Sequence, residues 1–192
     1  MKNQPRRQFL KESMTATVGM GCLPFFANTS YARNKTAKGM KFGLVTYLWG
    51  KDMDIPTVLD LCEKSGVLGV ELRTQHAHGV EPVLSKVQRA EVRKRFADSP
   101  VELVGYGSNA QYHENDPAKV KANIALTKDY LRLMHDCGGS GVKVKPNGFV
   151  NDVPREKTIE QIGLSLNEVA KFGKELGQEI RVEVHGLSLI HI

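Results

Sequence analysis

The chain has 192 residues, of which 41% are hydrophobic and 25% are charged. This composition is typical of one globular domain with enough apolar side chains for a sizeable core. The formal net charge is +6, but much of the excess lies in the first 32 residues and the remainder is scattered. The charge therefore does not indicate a nucleic-acid-binding surface.

The first 32 residues are predicted to be an export signal. Arg6 and Arg7 precede Phe-Leu-Lys, and an uncharged and mostly apolar stretch follows at 14–27. Ser30 and Ala32 then place small side chains at the two positions that a signal peptidase reads. The apolar stretch is too short for a membrane span. The paired arginines resemble a twin-arginine export signal, so we expect a periplasmic or secreted protein that has no membrane contact after cleavage.

A polar linker at 33–39 is followed by alternating strand and helix patterns. Strands are expected at 42–48, 67–73, 101–106, 141–145 and 180–185, and helices at 55–65, 85–97, 117–137 and 158–176. This order predicts a parallel sheet covered by helices. An open doubly wound sheet and a (β/α)8 TIM barrel both fit that description.

The faces of the strands favour the barrel. Glu71 and Arg73 alternate with apolar residues in the second predicted strand, and Arg181, Glu183 and His185 do so in the fifth. A strand covered by helices on both faces should be apolar on both, whereas a barrel strand can turn polar residues to the interior. No Gly-rich phosphate loop follows the first strand. We therefore predict an α/β fold with about five of the eight units of a (β/α)8 barrel over 40–186.

Glu183 and His185 are the leading candidates for chemistry. They lie at the carboxyl end of a predicted barrel strand, where barrel enzymes place their active sites. A carboxylate there can bind a divalent metal, with the histidine two residues on as a second ligand or a hydrogen-bonding partner. The alternative is an interior salt bridge from Glu183 to Arg181 or Lys145.

Two strand sequences, GVELR at 69–73 and RVEVHG at 181–186, resemble the xylose isomerase-like TIM-barrel family, also described as sugar phosphate isomerases/epimerases. The resemblance covers about residues 40–186. It implies one divalent metal (Mn, Mg, Co or Zn) held by Glu, Asp, His and Glu from the later strands. The first of these ligands maps onto Glu183, which makes that residue a metal ligand and a catalytic candidate, and the other three belong to strands six to eight.

The resemblance also implies the activity, a metal-dependent isomerase or epimerase that acts on a sugar or sugar derivative through an enediolate. The expected binding partner is a small carbohydrate, and no nucleic-acid partner is expected. Two alternatives stay open: a lyase or dehydratase of keto-sugars or inositols on the same barrel, and a non-catalytic periplasmic sugar-binding module.

His76 and His78 follow the second strand, in a loop that by resemblance overhangs the substrate. Either histidine could be a general base or bind a sugar hydroxyl, and the alternative for each is an exposed loop residue. Trp49, after the first strand, could form an apolar wall for a sugar ring or serve in packing.

Glu71 and Lys145 are the remaining candidates for substrate binding, together with His185. Glu71 is expected to point into the barrel, where it binds substrate or pairs with Arg73. Lys145 is expected at the mouth of the fourth strand, where it binds an anionic or carbonyl group or neutralises Glu183.

Cys62 and Cys137 lie on apolar faces of predicted helices. A disulfide is an option in an oxidising compartment, but two buried unpaired thiols are the expected state. No Cys/His cluster has the spacing of a zinc site.

Residues 187–192 do not fit the pattern. A barrel strand that ends in His-Gly should enter a polar loop and a helix, but the apolar run LSLIHI follows, and a complete barrel needs about 250 residues. The DNA string CTG TCT CTT ATA CAC ATC, a common transposon-library adapter end, translates to the same hexapeptide. We therefore expect residues 187–192 to be a non-native tail and the chain as written to be an inactive, metal-free fragment.

Overall fold

The computed structural model describes residues 41–146 and 148–183. The predicted signal at 1–32, the linker at 33–39, His185 and the tail at 187–192 lie outside the described residues. The elements are β1 (Gly43–Val45), α1 (Ile55–Ser65), β2 (Gly69–Arg73), α2 (Lys86–Ala97), β3 (Glu102–Gly107), α3 (Pro117–Cys137), β4 (Gly141–Val144), α4 (Arg155–Glu175) and β5 (Glu179–Val182).

The five strands form one parallel sheet in the order β1-β2-β3-β4-β5. Each new strand pairs with the one before it, so the strand order never reverses as it does in a doubly wound sheet. The predicted fold is confirmed: the described residues form four successive β-α units and a fifth strand of a TIM-barrel-like sheet. A register shift between Val70 and Glu71 interrupts the pairing of β2 with β3.

Local capping signals set the helix ends. Asp54 accepts a hydrogen bond from the Thr57 backbone at the start of α1, and Gly66 ends that helix with φ 72°. Ser85 and Gln88 form a reciprocal capping box at the start of α2. The structure differs from prediction at α4, which begins at Arg155 rather than at 158.

The core lies between the sheet and the helices. Val70, Leu72, Val142 and Val144 are fully buried on the strands, while the residues that alternate with them turn to the opposite, polar face. Branched side chains that pack between a sheet and helices are the main source of stability in such a fold.

The two cysteines of the described region are buried and unpaired, which confirms the expectation for Cys62 and Cys137.

Among the described residues, no helix combines the length and the apolar character needed to cross a bilayer.

Candidate active site

Lys143 joins two carboxylates on the polar face of the sheet. Its Nζ lies 2.7 Å from Glu71 Oε1 and 3.1 Å from Glu183 Oε2, so from β4 it links the middle of β2 to the residue just after β5. Burial lowers the pKa of Lys143, but hydrogen bonds and charge attraction from the two carboxylates raise it on balance. Lys143 is therefore a cation at neutral pH. It was not identified as a site residue in the sequence analysis.

Gly107 makes this bridge sterically feasible. In the sheet register it stands beside both Arg73 of β2 and Lys143 of β4. A Cβ at Gly107 would lie 3.2 Å from Glu71 Oε1 and 3.6 Å from the Lys143 side chain. Because β3 has no side chain at this position, Glu71 and Lys143 meet across it.

Arg73 is held by neutral acceptors. Only 8% of it is exposed, and its guanidinium donates to the Gly107 carbonyl at 3.1 Å, the Ser108 carbonyl at 3.0 Å and Asn109 Oδ1 at 2.6 Å. Glu71 therefore pairs with Lys143 and not with Arg73, the partner considered in the sequence analysis. Arg73 instead fixes the loop after β3 and places a positive charge beside the site.

Lys145 shares an aromatic partner with Arg73. The Tyr47 ring centroid lies 5.3 Å from Arg73 Cζ and 5.9 Å from Lys145 Nζ. Burial and the positive charges of Arg73 and Lys143 lower the pKa of Lys145, against the opposing effect of Glu183. The role of Lys145 in binding an anionic or carbonyl oxygen stays a prediction. Trp49 is 81% exposed in the loop beyond β1.

His76 is half-buried and points to the end of β1. Its Nδ1 lies 3.2 Å from Thr46 Oγ1, and the same hydroxyl oxygen accepts a hydrogen bond from the Arg73 backbone N–H at 3.0 Å. Burial and the nearby Arg73 charge lower the pKa of His76. His76 is therefore neutral at pH 7, which is the form able to accept a proton.

His78 is buried, and both of its ring nitrogens have backbone partners. Nδ1 accepts a hydrogen bond from the Val80 N–H at 3.0 Å. Nε2 must then carry the ring proton, which it donates to the Arg73 carbonyl at 2.8 Å. Burial lowers the pKa of His78 as well. These contacts hold the loop after β2 and leave His78 without a lone pair for substrate.

Sequence reasoning did not identify Glu81. Its carboxylate accepts hydrogen bonds from the Gln75 backbone N–H at 2.6 Å and from the Tyr130 hydroxyl at 3.0 Å. Thr74 and Tyr106 also lie within hydrogen-bond distance of it. A lone acid before Pro82 gives no periodic signal, and these contacts join segments that are distant in the sequence.

Glu183, the predicted metal ligand, lies within the described residues. A carboxylate oxygen suits a hard divalent cation, and Glu183 presents one just beyond the end of β5, so it fits that role. Within 41–146 and 148–183, however, no group of three or more His, Cys, Asp or Glu side chains could hold a metal ion. Glu183 thus fits as one ligand of a larger set, and it does not form a site by itself.

Residues 59–191 match the family model described as a xylose isomerase-like TIM barrel, which is more than half of the chain. A comparison with curated protein sequences found no match.

Several solved structures share the fold. A D-psicose 3-epimerase in the presence of D-fructose is 18% identical, with a TM-score of 0.65, over 80% of this chain and 55% of that one. The D-psicose 3-epimerase of Clostridium cellulolyticum H10 with D-tagatose is also 18% identical, with a TM-score of 0.66, over 78% and 55%. The IOLI protein with a bound zinc atom is 17% identical, with a TM-score of 0.63, over 74% and 51%. The chain thus spans about half the length of these structures, and at such identities the likeness shows the fold alone.

Proposed function

Since the chain belongs to the xylose isomerase-like TIM-barrel family, we propose that it is part of a metal-dependent isomerase or epimerase of a sugar or sugar derivative. The observation that carries this proposal is the bridge from Glu71 through Lys143 to Glu183. It brings Glu71, from the polar face of β2, close to Glu183, which lies just beyond the carboxyl end of β5. Barrel enzymes carry out their chemistry at the carboxyl ends of the strands. The names of the structural neighbours, which include several sugar epimerases, support the same substrate class.

The reaction begins with the removal of a weakly acidic proton from the carbon beside a carbonyl group. A divalent cation bound with the help of Glu183 would supply Lewis-acid stabilisation of the charge that develops on the substrate oxygens. A neutral histidine or a carboxylate accepts the proton and returns it to another position or face. The remaining ligands implied by the family resemblance would come from strands six to eight.

Among the two loop histidines, His76 is the better candidate for proton transfer. In the tautomer whose Nδ1 donates to Thr46 Oγ1, Nε2 of His76 carries the lone pair that can accept a proton. Both nitrogens of His78 are engaged by backbone groups, so its proposed contribution is to hold that loop. Lys145 would bind a carbonyl or anionic oxygen of the substrate, and Glu71 a hydroxyl group.

The decisive experiment measures solvent deuterium uptake by the substrate. Full-length protein is stripped of metal, reloaded with Mn, Mg, Co or Zn ions, and incubated with D-fructose, D-psicose or D-tagatose in heavy water. We expect deuterium beside the carbonyl group, detected by NMR, and a new epimer. Glu183→Gln should lower the rate by about 100-fold or more, because it removes a charged ligand or base.

Glu179→Gln is the matched control, because Glu179 is an exposed acid at the opposite end of β5 that pairs with Arg181. It should retain the activity of the unmodified protein. Sugar binding without deuterium uptake would instead support a non-catalytic binding module, and loss of water from the sugar would support a lyase or dehydratase. No uptake with any ketose and any of the four metals contradicts the proposal.

We also propose that residues 1–32 direct the protein to the periplasm or the cell exterior through the twin-arginine pathway. The paired arginines in the sequence support this location. Cell fractionation of the protein with Arg6→Lys and Arg7→Lys together should show it retained in the cytoplasm, and normal export of this variant would contradict the proposal.

A further inference from the structure

One carboxylate ties together the loop after β2 and two neighbouring elements. Glu81 Oε1 lies 2.6 Å from the Gln75 backbone nitrogen, 2.9 Å from the Tyr106 hydroxyl of β3 and 3.1 Å from Thr74 Oγ1. Its Oε2 lies 3.0 Å from the Tyr130 hydroxyl of α3. Burial raises the pKa of Tyr130 to about 12 and raises that of Tyr106 further, so both phenols remain protonated donors. All of these contacts lie within the described residues.

The backbone at Gln75 is strained where Glu81 binds it. Gln75 has φ 64°, a left-handed conformation that is unfavourable for a residue with a side chain and that persists only where surrounding contacts impose it. The hydrogen bond from the Gln75 N–H to the Glu81 carboxylate is a charge-assisted contact of the kind able to hold such a conformation.

The strained turn determines the position of His76, the next residue. After this turn, Ala77 N–H donates to the Lys51 carbonyl at 2.8 Å and His76 Nδ1 approaches Thr46 Oγ1. Both contacts require the chain to change direction at Gln75. Without the turn, the His76 ring would move away from Thr46 and toward solvent.

We propose that Glu81 is a positioning residue, which holds His76 at the mouth of the sheet by fixing the strained turn at Gln75. The use of His76 in proton transfer rests on the function proposed above, whereas the positioning itself does not. Glu81 acts through the loop and does not contact the substrate.

Hydrogen exchange of the full-length protein tests the hold on the loop. In Glu81→Gln, the amides of residues 75–79 should exchange at least about tenfold faster, the low end of what a lost charge-assisted hydrogen bond allows. Exchange in the centre of α3 should not change. Glu102→Gln is the control, since Glu102 is an exposed acid at the other end of the sheet, paired with Lys41. Equal exchange of 75–79 in the unmodified and Glu81→Gln proteins would overturn the proposal.

Titration of the His76 ring by NMR tests its position. Loss of the Glu81 charge and release of the ring into water change the pKa of His76 in opposite directions. The charged groups that face His76 are Arg73, Glu81, Asp52 and Lys51, and the Glu81 charge raises the pKa of His76. Loss of that charge alone would therefore lower the pKa. Release of the ring into water would raise it, because burial is the main cause of its depression. We expect a rise in Glu81→Gln, and a fall or no change would overturn the positioning role.

A second substitution distinguishes release of the strained turn from general destabilisation of the protein. Gln75→Gly should relieve the strain, because glycine adopts positive φ without a steric cost. In the Gln75→Gly background, Glu81→Gln should accelerate exchange of the loop less than it does alone. An equal acceleration in both backgrounds would show that the strained turn is not what Glu81 holds.

Exchange and titration need no substrate, so they separate this inference from the proposed function. If the full-length protein turns over no sugar but the loop loosens and the pKa of His76 rises, the positioning stands and the proposed function fails. If the protein is active, Glu81→Gln should lower kcat more than it changes KM. An unchanged kcat would overturn the positioning of His76 for catalysis.

Discussion

Lys143 Nζ lies 3.1 Å from Glu183 Oε2, so the carboxylate expected to bind a metal is already held by a cation from the adjacent strand. The same ammonium group contacts Glu71. It keeps two acidic side chains at one end of the sheet, where their mutual repulsion would otherwise oppose folding. Lys143 thus serves the fold and the arrangement of the site together.

Removal of this cation should destabilise the protein. In Lys143→Met we expect the free energy of unfolding at pH 7 to fall by about 2 kcal/mol, because two partly buried carboxylates lose their shared partner. Urea denaturation measures the change, and Lys121→Met, at an exposed position of α3, is the control. An equal, small effect of both substitutions would show that the bridge adds nothing to stability.

The pH dependence of this contribution has a defined sign. The pKa of Lys143 is raised above its ordinary value of 10.5, so the folded state holds this proton more tightly than the unfolded state does. The stabilisation is therefore fully present below pH 10.5 and is lost as the pH rises through the folded pKa. The difference between the unmodified protein and Lys143→Met should persist from pH 7 to about 10 and decrease at higher pH.

Two glycines should respond in opposite ways to alanine. A Cβ at Gly141, in β4, would lie 2.5 Å from the Glu179 backbone oxygen, whereas one at Gly163, in α4, would meet no atom within 4 Å. Gly141→Ala should lower the free energy of unfolding by about 1–3 kcal/mol through overpacking. Gly163→Ala should raise it by about 0.5–1 kcal/mol through helix propensity. Thermal unfolding measures both, and a stable Gly141→Ala variant would contradict the close pairing of β4 with β5.

The order of the elements could be predicted because its signals are local. Asp54 and Gly66 bound the first helix as their residue types predict, and Asp116 and Gly138 bound the third. The start of α4 was predicted three residues too late. Its N-cap, Pro154, makes no side-chain hydrogen bond and so lacks the Ser, Thr, Asp or Asn that usually marks a helix start.

The contacts within the site were harder to predict because they depend on register. Strand alternation placed Glu71 on the polar face, but the partner of Glu71 lies two strands away, across Gly107. No pattern along the chain shows that β3 lacks a side chain where Glu71 and Lys143 meet. The Glu81 cluster was missed for a similar reason, since Tyr130 reaches it from the middle of α3.

The two buried thiols should react only when the protein unfolds. Burial raises the pKa of Cys62 and raises that of Cys137 to about 12, so the reactive thiolate is scarce at pH 8 in the folded state. In the protein without residues 1–32, the reaction of these thiols with Ellman's reagent should follow the unfolding rate and accelerate with urea. Rapid reaction of both thiols without denaturant would contradict the packing of α1 and α3 on the sheet.

Substitution of His78 should mainly lower stability, whereas substitution of His76 should mainly lower activity. His78→Gln should lower the free energy of unfolding at pH 7.5 by about 2 kcal/mol, because two buried backbone groups lose their ring partner. Burial depresses the pKa of His78, so the unfolded state binds a proton before the folded state does. Stability is then present above pH 6.5 and is lost as the pH falls through the folded pKa. In His78→Gln, the loss of stability between pH 6.5 and about 5 should be shallower than in the unmodified protein.

His76→Gln should show the reverse balance. His76 is half-buried with one side-chain hydrogen bond, so its loss should cost about 1 kcal/mol or less. If His76 transfers the proton, deuterium uptake by the sugar should fall by about 100-fold or more. Urea denaturation of His76→Gln and His78→Gln compares their free energies of unfolding. Deuterium uptake by the sugar compares their activities. If His78→Gln lost activity while His76→Gln retained it, the assignment of proton transfer to His76 would be wrong.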